Sequence, residues 1–450
     1  MVADKKSPQT SKKASAHAGR DARARLFDRR RSVLIRVLRE FGDATTSLTL
    51  ADAITVASKK EDLENVDRAW VRDMASGVLR RRSWLEAAVR LWSKRDRLSG
   101  NLRWALLSGA YQLQFQSSVR KELAVSEWVD FVKASVDQGA SGFVNAILRR
   151  LSENPFAVTD VEVRKKSDPW EHGSVPKEFW DALTRSGDKA WASRFLTHAS
   201  ERPDYWAVKI GGEAPQVRRL SSEDLGPWSS HPPFDEFLQN ISSFELVEQV
   251  ARFLKSRGID SIVDRCAAPG GKTMGLAAHG LNVVAVERVP SRLRRLEENV
   301  ARVREAVAKA HTRTTIATQS EEAYLAPAGG PVSGSAVWPA IWIDAPCSSS
   351  GVIQRHPEIR WSGREKNLAA FASVQEALIR ESLNRLRPGG VLVYSVCSVF
   401  REEFENVLAK FAHDLTVERE IRCGPAARDA TEVVPGSEGL VAVIARKNAV

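Results

Sequence analysis

From about residue 241 onward, short apolar runs alternate with longer amphipathic stretches, and this alternation leaves few folds open. Ile262-Val263-Asp264, Val283–Val286, Thr314–Thr318, Ala340–Asp344 and Gly390–Ser395 read as strands, with two more near 415–421 and 439–446. Residues 243–257, Leu293–Val307 and Leu368–Leu386 carry the helical spacing between them. Strands that are apolar on both faces and alternate with helices belong to a mostly parallel sheet covered on both sides. The expected fold is therefore α/β, a doubly wound sheet of seven strands spanning 241–450. Ligands of such sheets bind beyond the carboxyl ends of the strands, so the residues there are the candidates for chemistry.

The first of these strand ends reads Asp264-Arg265-Cys266-Ala267-Ala268-Pro269-Gly270-Gly271-Lys272-Thr273. It is neither GxGxxG nor a Walker A loop. Its small residues still let the backbone approach a ligand at a helix N-terminus. Glu287 ends the second strand, where a carboxylate can accept hydrogen bonds from two ribose hydroxyls. A nucleoside ligand is expected. The fourth strand ends Asp344-Ala345-Pro346-Cys347-Ser348 and the fifth Tyr394-Ser395-Val396-Cys397-Ser398. A free cysteine usually behaves as a small hydrophobe. Two at equivalent ends of strands expected to be neighbours, one within Asp-Ala-Pro-Cys, point to chemistry instead.

The rest of the chain has a different texture. Residues 1–20 are basic and of low complexity, as expected of a disordered tail. Residues 21–152 show helical spacing, for example Leu34, Val37, Leu38 and Phe41, or Leu102, Ala105, Leu106 and Leu113, or Val125, Val129 and Val132. An all-α domain is expected there. Its arginines fall in runs (Arg29–Arg31, Arg80–Arg82, Arg149-Arg150) that raise the expectation of an RNA-binding surface. Residues 153–240 are broken by prolines and are expected to hold a linker, a helix at 177–199 and a small RNA-facing subdomain. The excess of 67 Lys and Arg over 56 Asp and Glu, +11 in all, suits a polyanionic partner. The four cysteines, with no CxxC and no His/Cys cluster, suggest neither a disulfide framework nor a metal. No apolar run is long enough to span a bilayer and the N-terminus lacks a signal-peptide core, so a cytoplasmic protein is expected.

Three strings carry a resemblance. DRCAAPGGKT (264–273), IDAPCSSSGVIQRHPEIRW (343–361) and PGGVLVYSVCS (388–398) are similar to the Sun-type RNA 5-methylcytosine methyltransferases, over most of 240–447. GASGFVNAILRRL (139–151) and LLSGAYQLQF (106–115) resemble the NusB antitermination factor. A NusB-like domain ahead of this catalytic domain is the arrangement of the bacterial RsmB (Sun/Fmu) type. The resemblance implies a Rossmann-like methyltransferase domain, S-adenosylmethionine as cofactor and 16S ribosomal RNA as partner, with transfer RNA as the alternative substrate. A non-catalytic RNA-binding protein with a decayed methylase domain is the alternative in kind, and it predicts loss of the cysteines or the glycine loop, which are all present. Neither metal nor membrane is implied, and a monomer is expected.

Residue by residue, the resemblance assigns Cys397 as the nucleophile and Cys347 as the thiol that promotes product release. Asp344 is the acid beside cofactor and base, and Cys266, Ala267, Ala268, Pro269, Gly270, Gly271 and Lys272 are the loop around the methionine part of the cofactor. Glu287 stands where the family usually has Asp at the ribose, and Glu321 is the nearest match to an acid beside the adenine. Lys272 is expected to pair with a carboxylate in the same cleft. The chemistry asks for a thiol because C5 of cytosine is a poor nucleophile until a thiolate adds at C6. His356 and Arg360 follow the Asp-Ala-Pro-Cys loop and are expected either to line an RNA cleft or to serve structure. The chain departs from the family pattern at Val396, where Thr is common. It also departs at Tyr205–Gly211, which lacks an Arg-x-Asn string, at Gly439-Leu440-Val441 in place of two aromatics, and in a Gly/Pro-rich insertion at 326–339.

Overall fold

A computed structural model describes residues 28–448 except 43–47, 94–97, 99, 118, 213, 222, 226–227, 229–230, 326–336 and 430–432. The expected tail at 1–20 and most of the insertion at 326–339 lie outside the described residues. The described chain divides into two units, one built from residues up to Lys177 together with His356–Ser362, the other from Glu178–Arg355 and Gly363–Val450.

The second unit begins within the helix Lys177–Ser186 and continues with the helix Lys189–Ala199. A single helix was expected over 177–199. It breaks at Gly187-Asp188 because the Asp188 side chain accepts the Trp191 N–H at 2.6 Å and so starts a new helix as its N-cap. Strands β1 (Tyr205–Lys209), β2 (Gln216–Leu220) and β3 (Glu236–Leu238) then form a small antiparallel sheet in the order β2-β1-β3. The helix Ile241–Ser256 follows, capped by the Asn240 side chain, and buries Phe244, Val247, Val250, Ala251 and Leu254 at helical spacing.

The main sheet comprises β4 (Ser261–Arg265), β5 (Asn282–Glu287), β6 (Ile316–Ser320), β7 (Trp338–Asp344), β8 (Leu386–Val396), β9 (Leu415–Cys423) and β10 (Leu440–Lys447). Its order is β6-β5-β4-β7-β8-β10-β9. The first five strands in that order run parallel, and β10 is antiparallel to both β8 and β9. This is the expected doubly wound, mostly parallel seven-stranded sheet. Ile262, Val263, Ala285, Ile341, Ile343, Leu392 and Val393 are fully buried or nearly so, which is why these strands read as unbroken apolar runs. The order reverses between β4 and β7, so their carboxyl ends flank the crevice where a doubly wound sheet binds its ligand.

The first unit is helical. Its helices include residues 28–42, Asn65–Arg80, Gly100–Phe115, Lys121–Ser135 and Ser141–Glu153. Leu34, Val37 and Leu38 are fully buried, as are Trp84, Trp104 and Trp128. The arginine runs expected to form an RNA surface are largely spent inside this unit. Arg31 is buried against Glu127 at 2.5 Å, and Arg30 meets Asp67 at 3.2 Å. Arg81 stacks over Phe115 and Arg82 over Trp361. Of the three runs, only Arg149-Arg150 is exposed at every position. No helix among the described residues is long and apolar enough to cross a membrane.

Candidate active site

The turn after β4 is held by the residues that flank it. Gly270 caps the helix Gly271–Ala278 at φ +107°, and a Cβ there would come within 2.9 Å of Leu296 Cδ1. Both the backbone angle and the packing require glycine. The Ala268 N–H donates to Glu287 Oε2 at 3.3 Å and the Val289 N–H donates to Glu287 Oε1 at 3.0 Å. Arg292 and Asn299 donate to the carbonyls of Ala268 and Pro269, each at 2.8 Å. Below the turn, Thr273 Oγ1 donates to Asp264 Oδ2 at 2.6 Å. Burial pushes the fully buried Asp264 carboxyl up to about 7. Burial also pushes the Cys266 thiol up to about 12, so it stays protonated and has no nucleophilic character.

The other half of the crevice comes from β7 and β8. Asp344 lies opposite Ser395 in their register, so both strands end at the same level. The loops beyond bring Cys347 Sγ and Cys397 Sγ to 3.3 Å of each other. Lys272 Nζ reaches across from the β4 turn to Asp344 Oδ2 at 2.7 Å, and Ser395 Oγ donates to Asp344 Oδ1 at 2.8 Å. Trp342 Nε1 in turn donates to Ser395 Oγ at 2.9 Å. Burial works against the charge on Lys272, but the Asp344 carboxylate outweighs it and raises its pKa.

The two thiols have opposite acidities. The hydrogen bond from Cys347 lowers the pKa of Cys397 and prevails over burial, with Ser349 Oγ at 3.6 Å and the Lys272 charge helping. The same contact pushes Cys347 well above the ordinary thiol range, and its burial and the Glu403 carboxylate add to this. Cys397 is half-buried whereas Cys347 is buried. The pair therefore presents its more acidic, more accessible sulfur at Cys397.

The structure thus gathers Cys347, Cys397, Asp344 and Lys272 into one cluster and puts the Cys266–Gly271 turn and Glu287 beside it. Glu321 opens the helix Glu321–Leu325 after β6, and its carboxylate accepts from Arg265 Nη2 at 2.7 Å. Arg360 lines no cleft, being fully buried and donating to the carbonyls of Gly173 and Ser174 within the helical unit. His356 faces Glu358 at 3.4 Å. Two residues were not singled out from sequence. Arg265 is completely buried and is shared between Glu321 and Glu381. Glu403 is completely buried under both cysteine loops. Most partners of Glu403, Ser348 and Gln375 among them, are distant in the sequence, so its neighbours along the chain do not mark it.

Comparison with known proteins agrees with this geometry. Residues 251–433 match the family model of the 16S rRNA methyltransferase RsmB/F, and residues 28–153 match the NusB family. The chain is 27% identical over 403 residues to the ribosomal RNA small subunit methyltransferase B of Citrobacter koseri, covering 84% of this chain and 90% of that protein. It is 27% identical over 418 residues to the protein of the same name from Erwinia tasmaniensis, covering 87% and 92%. The crystal structure of PH0851 shares the fold, with a TM-score of 0.61 at 18% identity over 93% of this chain and 98% of that one.

Proposed function

We propose that this chain, whose residues 251–433 match the 16S rRNA methyltransferase RsmB/F family model, is an RNA methyltransferase acting on C5 of a cytosine in small-subunit ribosomal RNA, with Cys397 as covalent nucleophile. The observation that carries the reading is the 3.3 Å approach of two thiols of opposite acidity at the ends of adjacent strands. A methylase acting directly on nitrogen or oxygen has no use for such a pair.

The cofactor is S-adenosylmethionine, whose sulfonium supplies an electrophilic methyl group. The residues present fit it. Glu287 is 2% exposed and uses one acceptor site on each oxygen for the backbone, which leaves lone pairs for the two ribose hydroxyls. The Cys266–Gly271 turn would cradle the methionine part, and Asp344 offers negative charge to the sulfonium. Glu321 would stand on the adenine side.

Cys397 adds to C6 of the cytosine, forming the S–C6 bond as the C5–C6 double bond opens and placing electron density on C5, which would then take the methyl group the cofactor supplies and carry both that methyl and its own proton. Asp344 and Lys272 present an acceptor and a donor to the polar edge of the base. Once Cys397 is a thioether, it no longer holds the proton on Cys347. Cys347 then loses that proton to solvent and takes up the C5 proton, and breaking the S–C6 bond returns Cys397 to thiolate. The test uses labelled cofactor with undermethylated 16S RNA or with transfer RNA. We expect label only in the ribosomal RNA, none with Cys397→Ala, and a covalent protein–RNA adduct that accumulates with Cys347→Ala. Wild-type labelling by Cys397→Ala would end the proposal.

A further inference from the structure

The two cysteine loops meet over a single carboxylate. Glu403 sits in the turn Arg401–Glu403, just past Cys397, and has no exposed surface. One of its oxygens accepts the Ser348 N–H at 2.7 Å and the Gln375 side-chain amide at 3.3 Å. The other accepts the hydroxyls of Ser348 at 2.5 Å and Ser398 at 2.6 Å. Gln375 also donates to the carbonyl of Pro346 at 3.0 Å, so three residues around Cys347 depend on this one group. The Glu403 backbone carbonyl accepts the Tyr394 hydroxyl at 2.5 Å, which ties the turn to the strand that leads into Cys397. No Lys, Arg or His pairs with Glu403 among the described residues. Four donors replace the water that a buried carboxylate would otherwise need.

The arrangement is lopsided. Glu403 binds both the backbone and the side chain of the residue after Cys347. Its carboxylate reaches the Cys397 loop only through the Ser398 hydroxyl among the described residues. On the opposite side, Cys397 faces the Lys272–Asp344 pair. The charged and titratable groups around the thiols are therefore Glu403 on the Cys347 side, Lys272 and Asp344 on the Cys397 side, Tyr394 with Glu376 near it, and Arg364, which donates to the Ser348 carbonyl and to Ser349 Oγ at 3.5 Å each. A negative charge nearer one of two thiols that share a proton disfavours ionisation of that thiol.

We infer that Glu403 is a positioning residue that assigns the roles of the two sulfurs: its carboxylate locks the Cys347 and Cys397 loops in contact and keeps the shared proton on Cys347, leaving Cys397 as the nucleophile. This deepens the proposed mechanism and rests on it for its purpose, but it is tested without RNA. Burial raises the Glu403 pKa while the two serines and Gln375 oppose the rise, so the group answers to its donors. Removing the charge evens out the acidities of the thiols, and removing one serine loosens one loop.

The test is competitive alkylation of the full-length protein with limiting iodoacetamide between about pH 6 and 9.5. In each event a thiolate sulfur forms a bond to carbon as iodide leaves. Peptide mass spectrometry then gives separate rates for Cys347 and Cys397. In the wild type Cys397 is expected to react at least about tenfold faster than Cys347. In Glu403→Gln that ratio is expected to fall about tenfold and the Cys397 pH profile to move upward. A ratio within about twofold of wild type in the folded variant would show that the carboxylate is only structural. Should Glu403→Gln not fold, Ser398→Ala decides, because it removes the carboxylate's one bond to the Cys397 loop. We expect at least a fivefold loss of Cys397 reactivity with Cys347 unchanged, and no loss overturns the inference. A Cys397→Ala protein that still methylates RNA would defeat the earlier mechanism but leave these rate ratios decisive for Glu403.

Discussion

Replacing Glu287 by Gln tests the proposed ribose recognition apart from loop support. The carboxylate accepts the Ala268 and Val289 N–H groups, one on each oxygen, at 3.3 and 3.0 Å. An amide in either orientation turns its NH2 toward one of those donors. Leaving a buried N–H unpaired costs about 1–3 kcal/mol, which corresponds to a drop of several degrees in melting temperature for a unit of this size. The effect on cofactor binding is separate. A hydrogen bond to a charged group is worth about 1 kcal/mol more than one to a neutral group. Two ribose hydroxyls then lose about 2 kcal/mol, or about 30-fold in Kd. Calorimetric titration with S-adenosylhomocysteine measures this directly, and its 2′,3′-dideoxy analogue completes a double-mutant cycle. The analogue should bind wild type and variant almost equally. A variant that melts earlier yet binds S-adenosylhomocysteine within about threefold of wild type refutes the ribose assignment and leaves Glu287 as a staple of the turn.

Two further outcomes follow from the same crevice. A methyl group added at Gly351 would drive into the Gly439 carbonyl, where Gly351 N–H also donates to Cys397 O at 3.0 Å; Gly351→Ala is expected to cut the methylation rate at least about tenfold with cofactor affinity unchanged, and unaltered kinetics would mean that this contact does not hold the nucleophile loop. Asp264 is raised from 3.8 to about 7 in the folded protein, so the stability it permits is full below pH 3.8 and is lost as pH rises through about 7. The melting temperature of Asp264→Asn relative to wild type should therefore increase between about pH 5 and 8, and a difference that stays flat across that range contradicts the buried-acid account.

The readable and unreadable parts of this chain differ in how much a residue's neighbours in sequence reveal about its neighbours in space. Strands β4, β5, β7 and β8 are covered on both faces, and burial of nearly every side chain leaves a plain apolar run. The residues at their ends were legible for the same reason, since a strand that ends in Asp344 or Val396 fixes where the following loop begins. Strand β2 is the opposite case. Gln216–Leu220 buries only Leu220, and the strand is defined by main-chain pairing with β1 that no side-chain pattern announces. The arginine runs misled because sequence shows charge but not its partner. Arg31 finds Glu127 and Arg82 finds Trp361, both far away along the chain. Arg360 is likewise buried in the helical unit by a segment that interrupts the other unit's sequence.

The pairing of the thiols follows from the register of two strands. Parallel neighbours lie about 4.8 Å apart and end facing the same way. Asp344 and Ser395 are partners, so Cys347 stands three residues and Cys397 two residues beyond a common level. A register slip by one residue would shift one loop by about 3.3 Å along the strand and turn its alternate side chains to the other face. Asp344 would then lose the Ser395 hydroxyl, and the two Cys-Ser dipeptides could no longer share Glu403. The bonds that hold the register are therefore the same bonds that surround the two thiols. Trp342 to Ser395 to Asp344 to Lys272 is one connected chain, and Ser348 to Glu403 to Ser398 is another. Each chain joins β7 or its loop to β8 or its loop, one on either side of the sulfur pair. The first ends in a cation and the second is centred on a carboxylate, and on the proposed mechanism that difference is what separates the steps of two identical side chains at 3.3 Å.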